Sequence, residues 1–160
     1  MADLTRAPAA RLSRRGSETT PLREFLMFVV GGEMFGIELT GIKEILGPPP
    51  ITPVPRSSRE VLGVCSVRGL LVTVLCLRRK LRLAETAPTR RSRILLTTSQ
   101  SGETVGLLVD EVRQVVRLQA TEIEPAASSF GGDTSEHVVG VARPPGSFVV
   151  LLDLRSILPS

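Results

Sequence analysis

Tryptophan and tyrosine are absent from this chain of 160 residues, and phenylalanine occurs only five times. With hydrophobic residues at 42%, a packed core is within reach, but it must be built from Val, Leu and Ile, which favour pleated sheet. Only two cysteines, Cys65 and Cys76, and one histidine, His137, occur, with no C-x-x-C spacing, so a zinc site lacks ligands and no metal is expected. Placed on a hairpin, the two thiols fall four rungs apart, roughly 13 Å. That exceeds disulfide reach, and both are expected as buried, reduced thiols. No apolar run reaches the length of a membrane-spanning helix, and no hydrophobic signal region follows the polar start. The expectation is a cytoplasmic chain without direct membrane insertion.

Catalytic patterns are missing too. There is no P-loop, no G-x-G-x-x-G and no G-x-S-x-G, and a Ser-His-Asp arrangement would depend on His137 beside Glu136 in a loop. The sequence therefore reads as non-catalytic and without cofactors.

One charge dominates what is present. The formal net charge is +4, and 18 of the 20 basic residues are arginine, clustered at Arg78-Arg79-Lys80-Arg82 and Arg90-Arg91-Arg93. Such clusters can neutralise phosphates, so a small-barrel nucleic-acid binder is the alternative functional reading. Against it, no aromatic residues interleave with the arginines to stack bases. Nucleic acid is not the expected partner.

The strongest positive feature is repetition. G-L-L-V-T-V-L-C-L-R-R-K-L from Gly69 matches G-S-F-V-V-L-L-D-L-R-S-I-L from Gly146 without a gap at six of thirteen positions. Gly63-Val64 and Gly140-Val141 keep the same offset of 77 residues. An earlier pair, E-M-F-G-I-E-L-T-G-I-K-E-I-L from Glu33 and E-T-V-G-L-L-V-D-E-V-R-Q-V-V from Glu103, holds its apolar register at an offset of 70. Four elements recurring in order indicate a duplicated small domain, with one insertion between the pairs.

The periodicity places a tail over 1–23, then a strand at Phe25–Val30, a Gly31-Gly32 turn and a partner strand at Met34–Leu39. Ile42, Ile45 and Leu46 sit at helical spacing, which predicts a short amphipathic helix ended by Pro48-Pro49-Pro50. Ser57 or Ser58 is expected to cap one helical turn. A hairpin follows across Arg68-Gly69, with Cys65 facing Val72 and Cys76 facing Val61, and a short helix spans Leu77 to Leu83. In the second copy, Arg93–Thr98 and Thr104–Val109 form a hairpin, V-R-Q-V-V-R-L continues as a bent strand, and 126–136 reads as a mobile loop. Val138–Ala142 and Phe148–Leu152 pair last, and Asp153 caps a terminal helix. Small sheets with an apolar face must curl or pack together. The expected fold is mainly β: two small five-stranded barrels side by side with a few short helices. The first repeat covers about 24–83 and the second about 93–158, with elements open to exchange between them.

The ordered set F-G-I-E-L, I-K-E-I, T-P-V-P, G-V-C-S-V-R-G, L-L-V-D-E-V and V-V-L-L-D-L-R-S-I-L resembles the CheW family of chemotaxis coupling proteins over residues 24 to 158. The resemblance implies SH3-like barrels packed around a groove, and a scaffold that couples methyl-accepting chemoreceptors to a CheA-type histidine kinase. It implies two partners, the receptor's cytoplasmic hairpin tip and the kinase's regulatory domain, and recruitment to membrane receptor clusters through them. Two departures stand out: Ser66 where the family turn has Asn, and Cys76 where the aspartate before the first short helix is usual.

The resemblance assigns Glu44, Arg68, Gly69, Val112 and Val115 to receptor binding, and Ile42 and Gly63 to kinase binding. From the residues alone, Arg68-Gly69 is equally a solvated hairpin tip, Glu44 a solvated charge, Ile42, Val112 and Val115 core positions, and Gly63 a strand glycine allowing close backbone approach. Asp110, at a strand end, reads as a structural hydrogen-bonding group.

Overall fold

A computed structural model describes residues 21–126 and 136–159. The expected mobile loop, for all but its end residues, and residues 1–20 of the expected tail lie outside that range.

Among the described residues, eleven strands run in chain order: β1 (Leu22–Val30), β2 (Glu33–Glu38), β3 (Ile42–Leu46), β4 (Val61–Val67), β5 (Leu70–Cys76), β6 (Arg93–Thr98), β7 (Thr104–Val109), β8 (Glu111–Gln119), β9 (Ile123–Pro125), β10 (Val138–Ala142) and β11 (Val149–Leu152). Two one-turn helices follow the closing hairpins, α1 (Leu77–Lys80) and α2 (Leu154–Ile157). The strands form two sheets, ordered β8-β1-β2-β11-β10-β9 and β3-β6-β7-β5-β4. One sheet thus has the five strands expected, and β9 brings the other to six.

The duplication governs how the sheets are assembled. The opening hairpin β1–β2 joins the closing hairpin β10–β11 of the second half, while β6–β7 joins β4–β5 of the first. Both junctions are parallel, and their registers coincide: Phe35 pairs with Val150 and Gly36 with Leu151, as Val105 pairs with Thr73 and Gly106 with Val74. Each pair maps onto the other through the two sequence offsets.

Packing follows from this exchange. The main core draws Leu26, Phe28, Phe35 and Ile37 from one sheet and Leu75, Leu95, Val105 and Leu107 from the other. Each fully buried aliphatic or aromatic side chain contributes about 1.5–3 kcal/mol. Smaller satellite cores fill each sheet separately, one around Met27 and Leu151 and one around Val72 and Ile94.

Two expectations of helix fail. Ile42–Leu46 is a strand, preceded by a single 3-10 turn at Leu39–Gly41. Its pairing with β6 jumps from Ile42 opposite Thr97 to Glu44 opposite Leu96, so Lys43 is an extra residue. A β-bulge interrupts the two-residue alternation and leaves apolar residues at the spacing of a helix. Ser57 caps no helix either; its hydroxyl donates to the Val54 carbonyl at 2.8 Å within a turn.

A second bulge corrects the cysteine register. Val61 pairs with Leu75 and Gly63 with Val74, which leaves Leu62 as the extra residue, so Cys76 donates its N–H to the Glu60 carbonyl rather than facing Val61. Cys65 does face Val72, and both thiols are buried and free. The duplicated position in β10 is bulged as well, at Val139.

The helix starts differ as their sequences suggest. Cys76 offers no side-chain hydrogen bond to α1. Asp153 accepts from the Arg155 N–H of α2 at 3.1 Å.

Candidate functional site

The β4–β5 turn is built from two residues at positive φ, Arg68 at 51° and Gly69 at 83°. Both central residues at positive φ is the pattern of a type I′ hairpin turn, whose twist matches that of the flanking strands. Gly69 adopts it freely, whereas Arg68 bears the cost of a Cβ in the left-handed region, about 1–2 kcal/mol.

The guanidinium of Arg68 reaches across to β3 and donates to Glu44 Oε2. That hydrogen bond, aided by the attraction between the charges, holds the Glu44 carboxyl below its ordinary range and raises Arg68 further. Both groups stay open to solvent, so the pair orders the tip more than it stabilises the fold. Beside it, Leu70 and Leu71 leave 63% and 74% of their surfaces exposed. Sequence reasoning missed these two leucines as site residues. The signal was there: two consecutive leucines directly after a turn glycine cannot both face a core on a pleated strand.

The remaining assigned residues divide. Val112 is partly buried against the main core, as is Ile42, its counterpart at an offset of 70 residues. Val115 lies on the same strand as Val112 but is 43% exposed. Val112 and Val115 belong to the six-stranded sheet, paired with Phe28 and Leu26, whereas Ile42, Glu44, Gly63, Arg68 and Gly69 belong to the five-stranded one or its turn. Gly63 is buried, and a Cβ there would overlap the backbone oxygen of Thr52. Its duplicate Gly140 is hemmed in alike, since a Cβ added there would stand 2.5 Å from the Glu124 carbonyl oxygen.

Asp110 is a structural anchor. Its carboxylate accepts two bonds from Arg78, at 3.0 and 2.6 Å, and one from the Gly31 N–H at 2.8 Å. It thereby ties α1 and the β1–β2 turn to the end of β7. Arg78 is raised by the same bonds. His137 is structural as well: its Nδ1 lies 2.8 Å from Ser156 Oγ, linking the start of β10 to α2.

The arginine clusters are largely engaged within the fold. Arg78 holds Asp110, Arg79 pairs with Glu85 at 3.0 Å and donates to the carbonyls of Arg59 and Val61, and Arg91 pairs with Glu111 at 3.3 Å. The nucleic-acid reading is set aside: Arg78, Arg79 and Arg91 are held by carboxylates, and no aromatic residue stands among the clusters to stack bases.

Two sheets completed by exchanged hairpins, with an ordered charged turn at one tip, define a duplicated SH3-like β module. The chain belongs to the CheW-like domain family, whose model matches residues 24–160. It is similar to Chemotaxis protein CheW of Rhizobium meliloti, 30% identical over 86% of this chain and 88% of that one. It is also similar to Protein FrzA of Myxococcus xanthus, 30% identical over 82% of this chain and 81% of the relative. Among solved structures, the scaffolding protein TtCheW from Thermoanaerobacter tengcongensis has the same fold, with a TM-score of 0.77 at 22% identity, covering 86% of this chain and 93% of that one.

Proposed function

We propose that this chain is a non-catalytic adaptor that couples chemoreceptors to a CheA-type histidine kinase in a chemotaxis or chemotaxis-like pathway. The observation that carries the reading is the β4–β5 tip, where a strained arginine is held by Glu44 beside two exposed leucines. A fixed guanidinium beside apolar surface suits the helical hairpin tip of a receptor, which presents apolar anchors and carboxylates at helical spacing. Val115, exposed on β8, extends the receptor contact, with Val112 supporting it from beneath. Gly63 and Ile42 act on the kinase side by shaping the β3 and β4 edges rather than by direct contact. Barrel-to-barrel pairing with a related regulatory domain of the kinase is the natural mode for a duplicated module.

The protein acts from the cytoplasm and reaches receptor clusters through its partners. No helix among the described residues is long and apolar enough to cross a membrane. The test is capture of a CheA-type kinase and of receptor cytoplasmic fragments by the full chain. Binding to neither removes the reading.

A further inference from the structure

A second surface lies apart from the charged tip. The proline-rich segment between β3 and β4 and the connection before β6 flank an open groove of about 700 Å³. Pro48, Pro49 and Pro50 form one wall, and Ile51 and Leu62 line the interior. Both apolar residues back onto the satellite core of the five-stranded sheet, so the lining is held from behind. Leu62 is the bulge residue of β4, and a bulge re-aims a side chain at the cost of local ladder pairing. Prolines have little backbone freedom to lose, so a groove walled by them is ordered before a ligand arrives.

Charge decides what fits. Among the described residues, the only charged ones lining the groove are Arg90 and Arg93, where the connection runs into β6. Among the described residues neither is paired with a carboxylate; Arg93 donates from one terminal nitrogen to the carbonyls of Arg90 and Ser92, at 2.8 and 2.7 Å. We infer that this groove binds an acidic peptide segment of a partner protein, with an apolar side chain seated against Ile51 and Leu62 and flanking carboxylates on Arg90 and Arg93. Charge disfavours two other occupants. The stretch 1–20 carries four arginines against Asp3 and Glu18, and a second copy of the chain brings a net charge of +4 of its own. Both are repelled by the arginine end.

The inference goes beyond the adaptor reading, because the groove includes none of the residues assigned there. Its test uses the full chain and a fluorescein-labelled hexapeptide of two central leucines flanked on each side by two glutamates, with a lysine-flanked counterpart. Anisotropy should show saturable binding of the acidic peptide with a Kd below about 1 mM, weakening as salt rises, and at least about tenfold weaker binding of the lysine peptide. Amide shifts on titration should centre on Ile51, Leu62, Thr89, Arg90 and Arg93. Arg90→Glu should weaken binding by about tenfold, whereas Arg91→Glu, the same charge change outside the groove, should alter it by less than about twofold. Among the described residues the Arg90 side chain has no partner to lose, so its variant keeps the fold. Absence of acidic-peptide binding overturns the inference, as does equal binding of the lysine peptide or equal loss in the two variants. Capture of kinase and receptor by Arg90→Glu is scored separately, so failure here is distinguishable from failure of the adaptor reading.

Discussion

Arg68 and Glu44 join the two ends of the five-stranded sheet. Glu44 lies on β3, at one edge, and Arg68 sits in the turn leading out of β4, at the other. Because the sheet curls, its first and last strands are brought within reach of one exposed ion pair. Arg68→Ala is the cleanest probe of this contact, since alanine at φ 51° bears the same left-handed cost as arginine and leaves the turn unchanged. Receptor-fragment capture should fall by about tenfold while the melting temperature moves by less than about 2 °C. A much larger thermal shift would make the arginine structural.

The same pair fixes a pH dependence. Arg68 lowers the folded-state pKa of Glu44, so the pair's contribution is complete above the unfolded carboxylate's range and is lost as pH falls through the depressed folded value. An NMR titration should find the Glu44 carboxyl ionised at pH values where ordinary glutamates are already protonated. In Arg68→Ala its midpoint should move up. A midpoint unmoved by the substitution would remove the ion pair in solution.

Gly63 and Gly140 should fail for one shared reason. An added methyl group at either meets the backbone oxygen of a neighbouring segment, Thr52 or Glu124. Gly63→Ala and Gly140→Ala are each expected to cost about 1–3 kcal/mol in denaturant unfolding. If Gly63→Ala lost kinase capture at unchanged stability, the glycine would be a contact residue instead.

Leu75 reports on the core between the sheets. It is 4% exposed and packs among residues of both. Leu75→Ala should cost about 2–5 kcal/mol, and urea unfolding should remain a single transition because the two sheets share that core. Two separate transitions would show the sheets to be independent.

Much of this fold was legible from the duplication and from period-2 runs bounded by glycine. The hairpins around Gly31-Gly32 and Arg68-Gly69, and the aspartate cap of α2, follow from local chemistry. Ile42–Leu46 did not, because its bulge at Lys43 mimics helical spacing. Its counterpart at an offset of 70 residues, Val112–Val116, has the same spacing but more β-branched residues, and read correctly as strand. Comparing the copies would have resolved the conflict. That Glu44 and Arg68 share one site was implied by the family resemblance, but exposure of Leu70 and Leu71 depends on how far the hairpin projects beyond its neighbours. The groove at Leu62 was illegible for a related reason: it joins residues 47–53 and Leu62 to a segment more than twenty residues further on, 88–93, around a bulge that no pattern announces.

The exchanged hairpins also set a schedule for biosynthesis. When β1 and β2 leave the ribosome, the parallel neighbour that β2 requires, β11 at Val149–Leu152, has yet to be translated. The nascent N-terminal hairpin therefore waits with an unsatisfied edge while β3 to β10 are synthesised, and its sheet closes only once β11 has emerged.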